Sequence, residues 1–251
     1  MKRVLLQLLV VSIFLFSTKT SVSQDKPDFA VKASAELVSS YIWRGVPCYS
    51  YNNEQLVLAP NFQPTLGFQY GGFEVGAWGS ADFTGSYKEM DLYALYTYKG
   101  LTATFTDYYW DLGWLSKPYF SYNNETTSHV LEGALTYKGT KVPFSLTLAT
   151  MLYGADKQYD DSSKNNFSTY FEAGYTVKVK DYSFDTFIGM TPSDGYYGDG
   201  YGNVTGFAVV NVGLTGYKKI KISDKYETTL RSSLIFNPQQ DKAYLVLGIT
   251  F

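Results

Sequence analysis

The sequence predicts an all-β protein, an antiparallel transmembrane β-barrel of about twelve strands behind an N-terminal signal peptide. One supporting observation is a succession of period-two segments, each about ten residues long, with almost no helical periodicity between them. Another is that the connections alternate strictly between tight turns and longer polar loops. The third is the last segment, in which Ala243, Leu245, Leu247, Ile249 and Phe251 share one face while Tyr244, Val246, Gly248 and Thr250 share the other. An aliphatic face ending on an aromatic suits a strand with one side in lipid and its last ring at the interface.

Composition narrows the classes. Tyr occurs 24 times against one His and one Cys, an excess that suits aromatic girdles with the ring in lipid and the hydroxyl in water. A net charge of -2 excludes a strongly basic nucleic-acid binder. Cys48 is alone, so it forms no internal disulfide and holds no structural zinc. No metal-ligand spacing and no phosphate-cradling Gly loop occurs, so neither metal nor cofactor is expected. Gly198-Asp199-Gly200-Tyr201-Gly202 reads as a surface loop.

The elements follow in order. Met1-Lys2-Arg3 is a short positive region, Val4 to Phe16 is apolar apart from Gln7 and Ser12, and Ser21-Val22-Ser23 places small residues before Gln24. That is a signal peptide over residues 1–23, with the barrel over residues 24–251. The apolar run falls short of the roughly 20 residues a spanning helix needs. Any membrane insertion of the mature chain is therefore by barrel.

Phe29 to Trp43 alternates, with Val31, Ala33, Ala35, Leu37, Tyr41 and Trp43 on one face and Lys32, Ser34 and Glu36 on the other. A polar loop around residues 47–53 carries Cys48 and is expected outside. Phe62 to Tyr70 returns, Gly71-Gly72 turns because Gly accepts positive φ, and Phe73 to Asp82 goes out again. The same rhythm gives strands over residues 89–99, 101–110, 127–138, 142–153, 167–180, 182–190, 204–221 and 226–236, and then the closing strand. The turns at Gly71-Gly72, Lys99-Gly100, Gly139-Thr140 and Asp181 all fall at one end, the periplasmic end of a barrel.

The closing strand resembles the C-terminal signature of bacterial outer-membrane proteins, which implies recognition by the barrel assembly machinery of a Gram-negative outer membrane. Leu37-Val38-Ser39-Ser40-Tyr41-Ile42-Trp43-Arg44-Gly45-Val46 resembles the N-terminal motif of the TorF family of porin-like outer-membrane proteins. That motif runs Leu-Val-Ser-Asp-Tyr, one variable residue, an aromatic, then Arg-Gly and an aliphatic. Met90-Asp91-Leu92-Tyr93 is similar to the family's acidic, aliphatic and Tyr hairpin region. The chain departs from the pattern at Ser40, where Asp is usual, and at Pro47, where Ser is common. The resemblance implies an outer-membrane barrel with a transport role and supplies no catalytic residue.

With aliphatic faces turned to the bilayer, most strand charges fall inside. Lys32, Glu36, Glu74, Asp82, Glu89, Asp91, Glu132, Glu172, Lys178, Asp185, Glu227 and Arg231 are expected to line the lumen, with Arg44 either at its mouth or anchoring a loop by pairing with a carboxylate. A cation facing the bilayer midplane costs about 2–4 kcal/mol, which makes this sorting informative. Asp107 is the exception: it shares its phase with Leu101, Ala103 and Phe105, and needs a bulge near Thr106 or a position above the lipid. Tyr41, Trp43, Trp110, Tyr153 and Phe251 are expected in the aromatic girdles.

Eight-strand barrels are filled by side chains and sixteen-strand ones are open, so a twelve-strand lumen fits either state. The acidic excess favours passive passage of small polar solutes, cations above all. The competing reading is a closed structural or adhesive barrel whose Tyr/Asn/Gly-rich loops bind a partner outside. A third is a lipid hydrolase at the membrane face, but Ser128 and the only histidine, His129, point to opposite faces of one strand and form no dyad.

Overall fold

The computed structural model describes residues 28–251, apart from residues 53–54, 112–115, 159–160, 194, 198–205 and 225. The signal-peptide reading and the loop Gly198-Asp199-Gly200-Tyr201-Gly202 lie outside the described residues. Twelve strands form one closed antiparallel barrel in which each pairs with its neighbour in sequence and the last pairs with the first. They are β1 (Phe29–Val38), β6 (Asn61–Tyr70), β7 (Phe73–Asp82), β8 (Lys88–Tyr98), β9 (Leu101–Asp111), β10 (His129–Lys138), β11 (Phe144–Gly154), β12 (Thr169–Val179), β13 (Tyr182–Thr191), β14 (Ala208–Ser223), β15 (Tyr226–Asn237) and β16 (Lys242–Thr250). Two short hairpins stand apart from the wall: β2 (Ile42–Trp43) with β3 (Val46–Pro47), and β4 (Ser50–Asn52) with β5 (Gln55–Val57).

Alternation gives the wall two chemically distinct faces. Val31, Leu66, Phe68, Leu92, Phe105, Leu148, Leu214 and Leu247 all point outward and are exposed. A contiguous apolar surface of this extent needs an apolar solvent around it. The opposite residues on the same strands are Lys32, Gly67, Asp91, Thr104, Thr147, Thr215 and Val246, which point inward.

Tight turns close one end, and long connections the other. Lys99 and Gly100 take φ of 47° and 85°, the left-handed pair a two-residue hairpin uses. A Cβ on Gly100 would also lie 2.5 Å from the Lys138 carbonyl oxygen, so the position admits Gly alone. β11 begins at Phe144 rather than Val142, because the intervening Pro143 offers no N–H to a ladder.

The seam is uneven. β1 pairs with β6 along its whole length, whereas β16 meets it over Glu36, Leu37 and Val38. Ala35 and Phe251 exchange backbone hydrogen bonds of 2.8 and 2.9 Å just beyond that stretch. Phe29 to Ser34 therefore extend past the end of β16 at the turn end.

Candidate functional site

The first outgoing strand does not continue to Trp43. β1 stops at Val38, where Ser39 donates its N–H to the Leu247 carbonyl at 2.8 Å and accepts from the Leu247 N–H through Oγ at 3.0 Å. The chain then folds into the barrel as the β2–β3 hairpin. Its turn residues, Arg44 and Gly45, have φ of 51° and 80°, as a two-residue hairpin loop requires. A Cβ on Gly45 would come 2.0 Å from the Val210 carbonyl oxygen, so only Gly lets the hairpin tip lie against β14. Asn237 of β15 donates to the Gly45 carbonyl at 3.1 Å from the neighbouring strand.

Arg44 locks this tip. Nη1 and Nη2 form a bidentate pair with Glu132 of β10 at 2.6 and 2.8 Å, and Nη1 also reaches the Tyr197 hydroxyl at 2.5 Å. The guanidinium lies 4.6 Å from the Trp43 ring centroid and 4.9 Å from that of Tyr170. Tyr108 donates to the second Glu132 oxygen at 3.0 Å. Burial opposes the charge on Arg44, but Tyr197 and Glu132 hold its pKa above the ordinary value. Arg44 therefore points inward and pairs with a carboxylate at once, joining the two roles the sequence left open.

Around the lock sits a hydrophobic core inside the barrel. Val46, Tyr108, Val130, Met151, Tyr170, Tyr197 and Val210 are buried together, with Trp43, Trp110 and Tyr196 packed against them. Trp110 stacks on Tyr108 and on Tyr196, each at 5.7 Å between ring centroids. A bulge in β14, where Gly189 pairs with Asn211 and Met190 with Val209, leaves Val210 free of the ladder. Tyr41 packs on Trp78 and Tyr87 farther round the wall.

These contacts correct three girdle assignments. Tyr41, Trp43 and Trp110 lie inside the barrel rather than at the lipid interface. For Tyr41 and Trp43 the reason is that the strand phase ends at Val38, before either is reached. Trp110 shares its phase with Tyr108 and with the inward Thr102, Thr104 and Thr106. Cys48 is corrected too: instead of standing in an outside loop, it follows the inward hairpin and is half-buried. Burial, then the Glu89 carboxylate, push its thiol well up. Tyr153 and Phe251 face outward, Tyr153 donating to the Tyr122 carbonyl at 2.6 Å and Phe251 stacking on Phe62 at 6.4 Å.

The strand residues expected in the lumen all project inward, and most are already engaged. Arg231 holds Glu36 at 2.7 Å, and Lys32 holds Glu74 at 2.5 Å, with Tyr93 donating to the other Glu74 oxygen at 2.9 Å. Glu172 accepts from Tyr170 and, at 3.1 Å, from Asn211. Asp185 accepts from Thr176 at 2.7 Å. Asp91 is buried near Glu89, with Oδ1 lacking a hydrogen-bond partner, while Glu89 accepts from Tyr87 at 2.6 Å. Among the described residues no group of His, Cys, Asp and Glu is placed to hold a metal ion.

The turn end of the lumen is different, and of its four lysines sequence reasoning placed only Lys178 inside. Lys178, Lys180, Lys219 and Lys221 line a cavity of about 710 Å³ with Asp181 and Glu227. The signal was present: in β14, Tyr217, Lys219 and Lys221 alternate with Lys218, Ile220 and Ile222. Lys219 and Lys221 take the inward phase, opposite Thr229 and Glu227.

Asp107 needs no bulge, since β9 pairs without a register shift on both sides. It faces outward and is covered by the loop after β9. His129 Nδ1 meets Asp107 Oδ1 at 2.7 Å, Tyr122 donates to Oδ2 at 2.7 Å, and the His129 Nε2 meets the Tyr119 carbonyl at 2.5 Å. Tyr122 stacks on the imidazole at 4.0 Å, and His129 is wholly buried. Both ring nitrogens are thus occupied, and neither partner is a hydroxyl.

Fold and lumen together define a closed twelve-strand antiparallel barrel with an apolar outer wall, a packed loop end and a charged cavity at the turn end. No family model matches the chain, and no curated protein does. Among solved structures, a porin is 10% identical with a TM-score of 0.39, over 88% of this chain and 99% of that one. Salmonella typhi OmpF in complex with daunomycin is 8% identical with a TM-score of 0.38, over 88% of this chain and 97% of its own.

Proposed function

We propose that the protein is an outer-membrane barrel of a Gram-negative cell that acts as a channel of restricted conductance for small polar solutes, closed at its loop end by the β2–β3 hairpin. The observation that carries this reading is the division of the lumen: a cavity lined by charged side chains at one end and a single locked hairpin across the other. A purely structural wall needs no such cavity, and a general pore needs no such lock. The apolar outer wall and the C-terminal strand support membrane insertion through the barrel assembly machinery. The likeness of residues 37–46 to the TorF motif supports a transport role, and that motif runs from the end of β1 into the hairpin.

Only part of the acidity that favoured cations is neutralised, since Asp91, Glu172 and Asp185 face no cation among the described residues. Glu36, Glu74 and Glu132 each face a cation, so the sign of the passing solute follows the groups left free. The packed core favours one alternative, a permanently closed barrel that works through its outer loops. A hydrolase gains no support from His129, whose ring meets Asp107 and a carbonyl.

Planar-bilayer recording separates the two barrel readings. The wild type is expected to give small, rare openings, and Arg44→Ala with Glu132→Ala is expected to raise open probability or conductance several-fold. Silence of both proteins across repeated insertions refutes the channel and leaves the closed barrel. Membrane fractionation with N-terminal sequencing tests the location and the start at Gln24.

A further inference from the structure

We propose that the turn-end cavity is a binding site for soluble multivalent oxyanions, of the phosphate-ester or polycarboxylate class. Its lysines converge from three places: Lys178 from β12, Lys180 from the turn to β13, and Lys219 and Lys221 from β14. Lys221 has a partner, Asp224, at 2.7 Å, but that carboxylate is 96% exposed and holds it weakly. Lys178, Lys180 and Lys219 make no ion pair among the described residues. The carboxylates lining the same cavity are Asp181 and Glu227, fewer than the lysines they face.

Three other lumen cations each have their own acid: Lys32 has Glu74, Arg44 has Glu132 and Arg231 has Glu36. Like charges gathered in a concave, low-dielectric wall concentrate counter-ions of the opposite sign. Tyr217, Ser183 and Thr229 line the cavity too and supply neutral hydroxyl donors between the ammonium groups. A volume of about 710 Å³ exceeds what one inorganic ion fills, and lysines on separate strands suit an anion with charge at more than one point. Lys178, Lys219 and Lys221 take the inward phase, so a solute in the lumen meets them before a lipid headgroup does. The inference rests on the barrel reading only for the side from which the cavity opens.

The test is equilibrium binding to the folded, full-length barrel in neutral detergent, with pyrophosphate and citrate titrated calorimetrically at low salt. Saturable binding that weakens as salt rises is expected. Lys178→Gln with Lys219→Gln should lower the affinity by at least about tenfold, because two charge-assisted contacts are lost. The pair Lys178→Arg and Lys219→Arg should retain it, as should Lys99→Gln at another turn. Repeating the titration in nanodiscs with and without anionic phospholipid distinguishes the sources of the anion: unchanged binding supports a lumen site, and loss in anionic nanodiscs overturns it. No saturable binding by the wild type, or equal binding by the double Gln variant, also overturns the site. None of these readouts needs conductance, so a silent channel with intact binding refutes the transport reading alone.

Discussion

The two ends of the lumen are built on the same strands and differ in what those strands carry inward. Along β9 the inward side chains run Thr102, Thr104 and Thr106 at the turn end, then Tyr108 and Trp110 at the loop end. Along β10 they run Lys138, Thr136 and Ala134, then Glu132 and Val130. Along β12 they run Lys178, Thr176 and Gly174, then Glu172 and Tyr170. Small polar groups leave room for water, while large aromatic ones meet the hairpin and exclude it. Period two says which face a residue takes; the gradient in size along that face says which end is filled.

The sharpest way to break the contrast is to remove one partner of the buried ion pair. Glu132→Ala leaves Arg44 charged in a packed core, which costs about 3–5 kcal/mol of hairpin stability. The expected outcome is faster maleimide labelling of Cys48 on a barrel that still migrates as folded; unchanged labelling would show that the pair does not hold the hairpin. Gly45→Val acts at the same tip through about 1–3 kcal/mol of strain at its positive φ, to which a clash with the Val210 carbonyl is added. Its labelling should rise in the same direction.

Outside the barrel, His129→Ala removes the group that joins the loop after β9 to Asp107, leaving part-buried partners unsatisfied at about 1–3 kcal/mol. Limited proteolysis should then cut within residues 116–127 while the wall and the hairpin stay protected. At the turn end, Lys219→Gln should change unfolding stability by less than about 0.5 kcal/mol, as for an exposed side chain without partners. A large loss there would mean that the turn-end lysines hold the fold and not a ligand.

Much of the wall was legible because lipid on one side and water on the other impose a strict alternation. Glu74, Asp91, Glu132 and Asp185 could be assigned an inward face from their neighbours alone. The hairpin was not legible in the same way. Residues 41–43 continue the alternation of β1 in sequence, and nothing local marks Ser39-Ser40 as the place where the chain leaves the wall. Arg44 did read as a mouth residue or a loop anchor, but the partners of the Arg44-Gly45 tip, Glu132, Tyr197 and Val210, lie far along the chain. Asp107 read as an anomaly and was one: its explanation is a loop that packs against the outer wall, which periodicity within a strand does not encode. Of the turn-end lysines only Lys178 was placed inside from sequence; the phase of β14 was equally legible, but its basic residues went unsorted.

The uneven seam has a mechanical consequence. β1 and β16 share three register pairs, whereas the next shortest joint, between β11 and β12, has seven. Under heat or load a cylinder parts along the line with the fewest bonds, so this wall tears first beside Phe251. Such a tear leaves every hairpin intact and turns the tube into one curled sheet with two edges. The molecule thus has a built-in rip line running from end to end, and the Ala35–Phe251 bonds form the last stitch at its lower end.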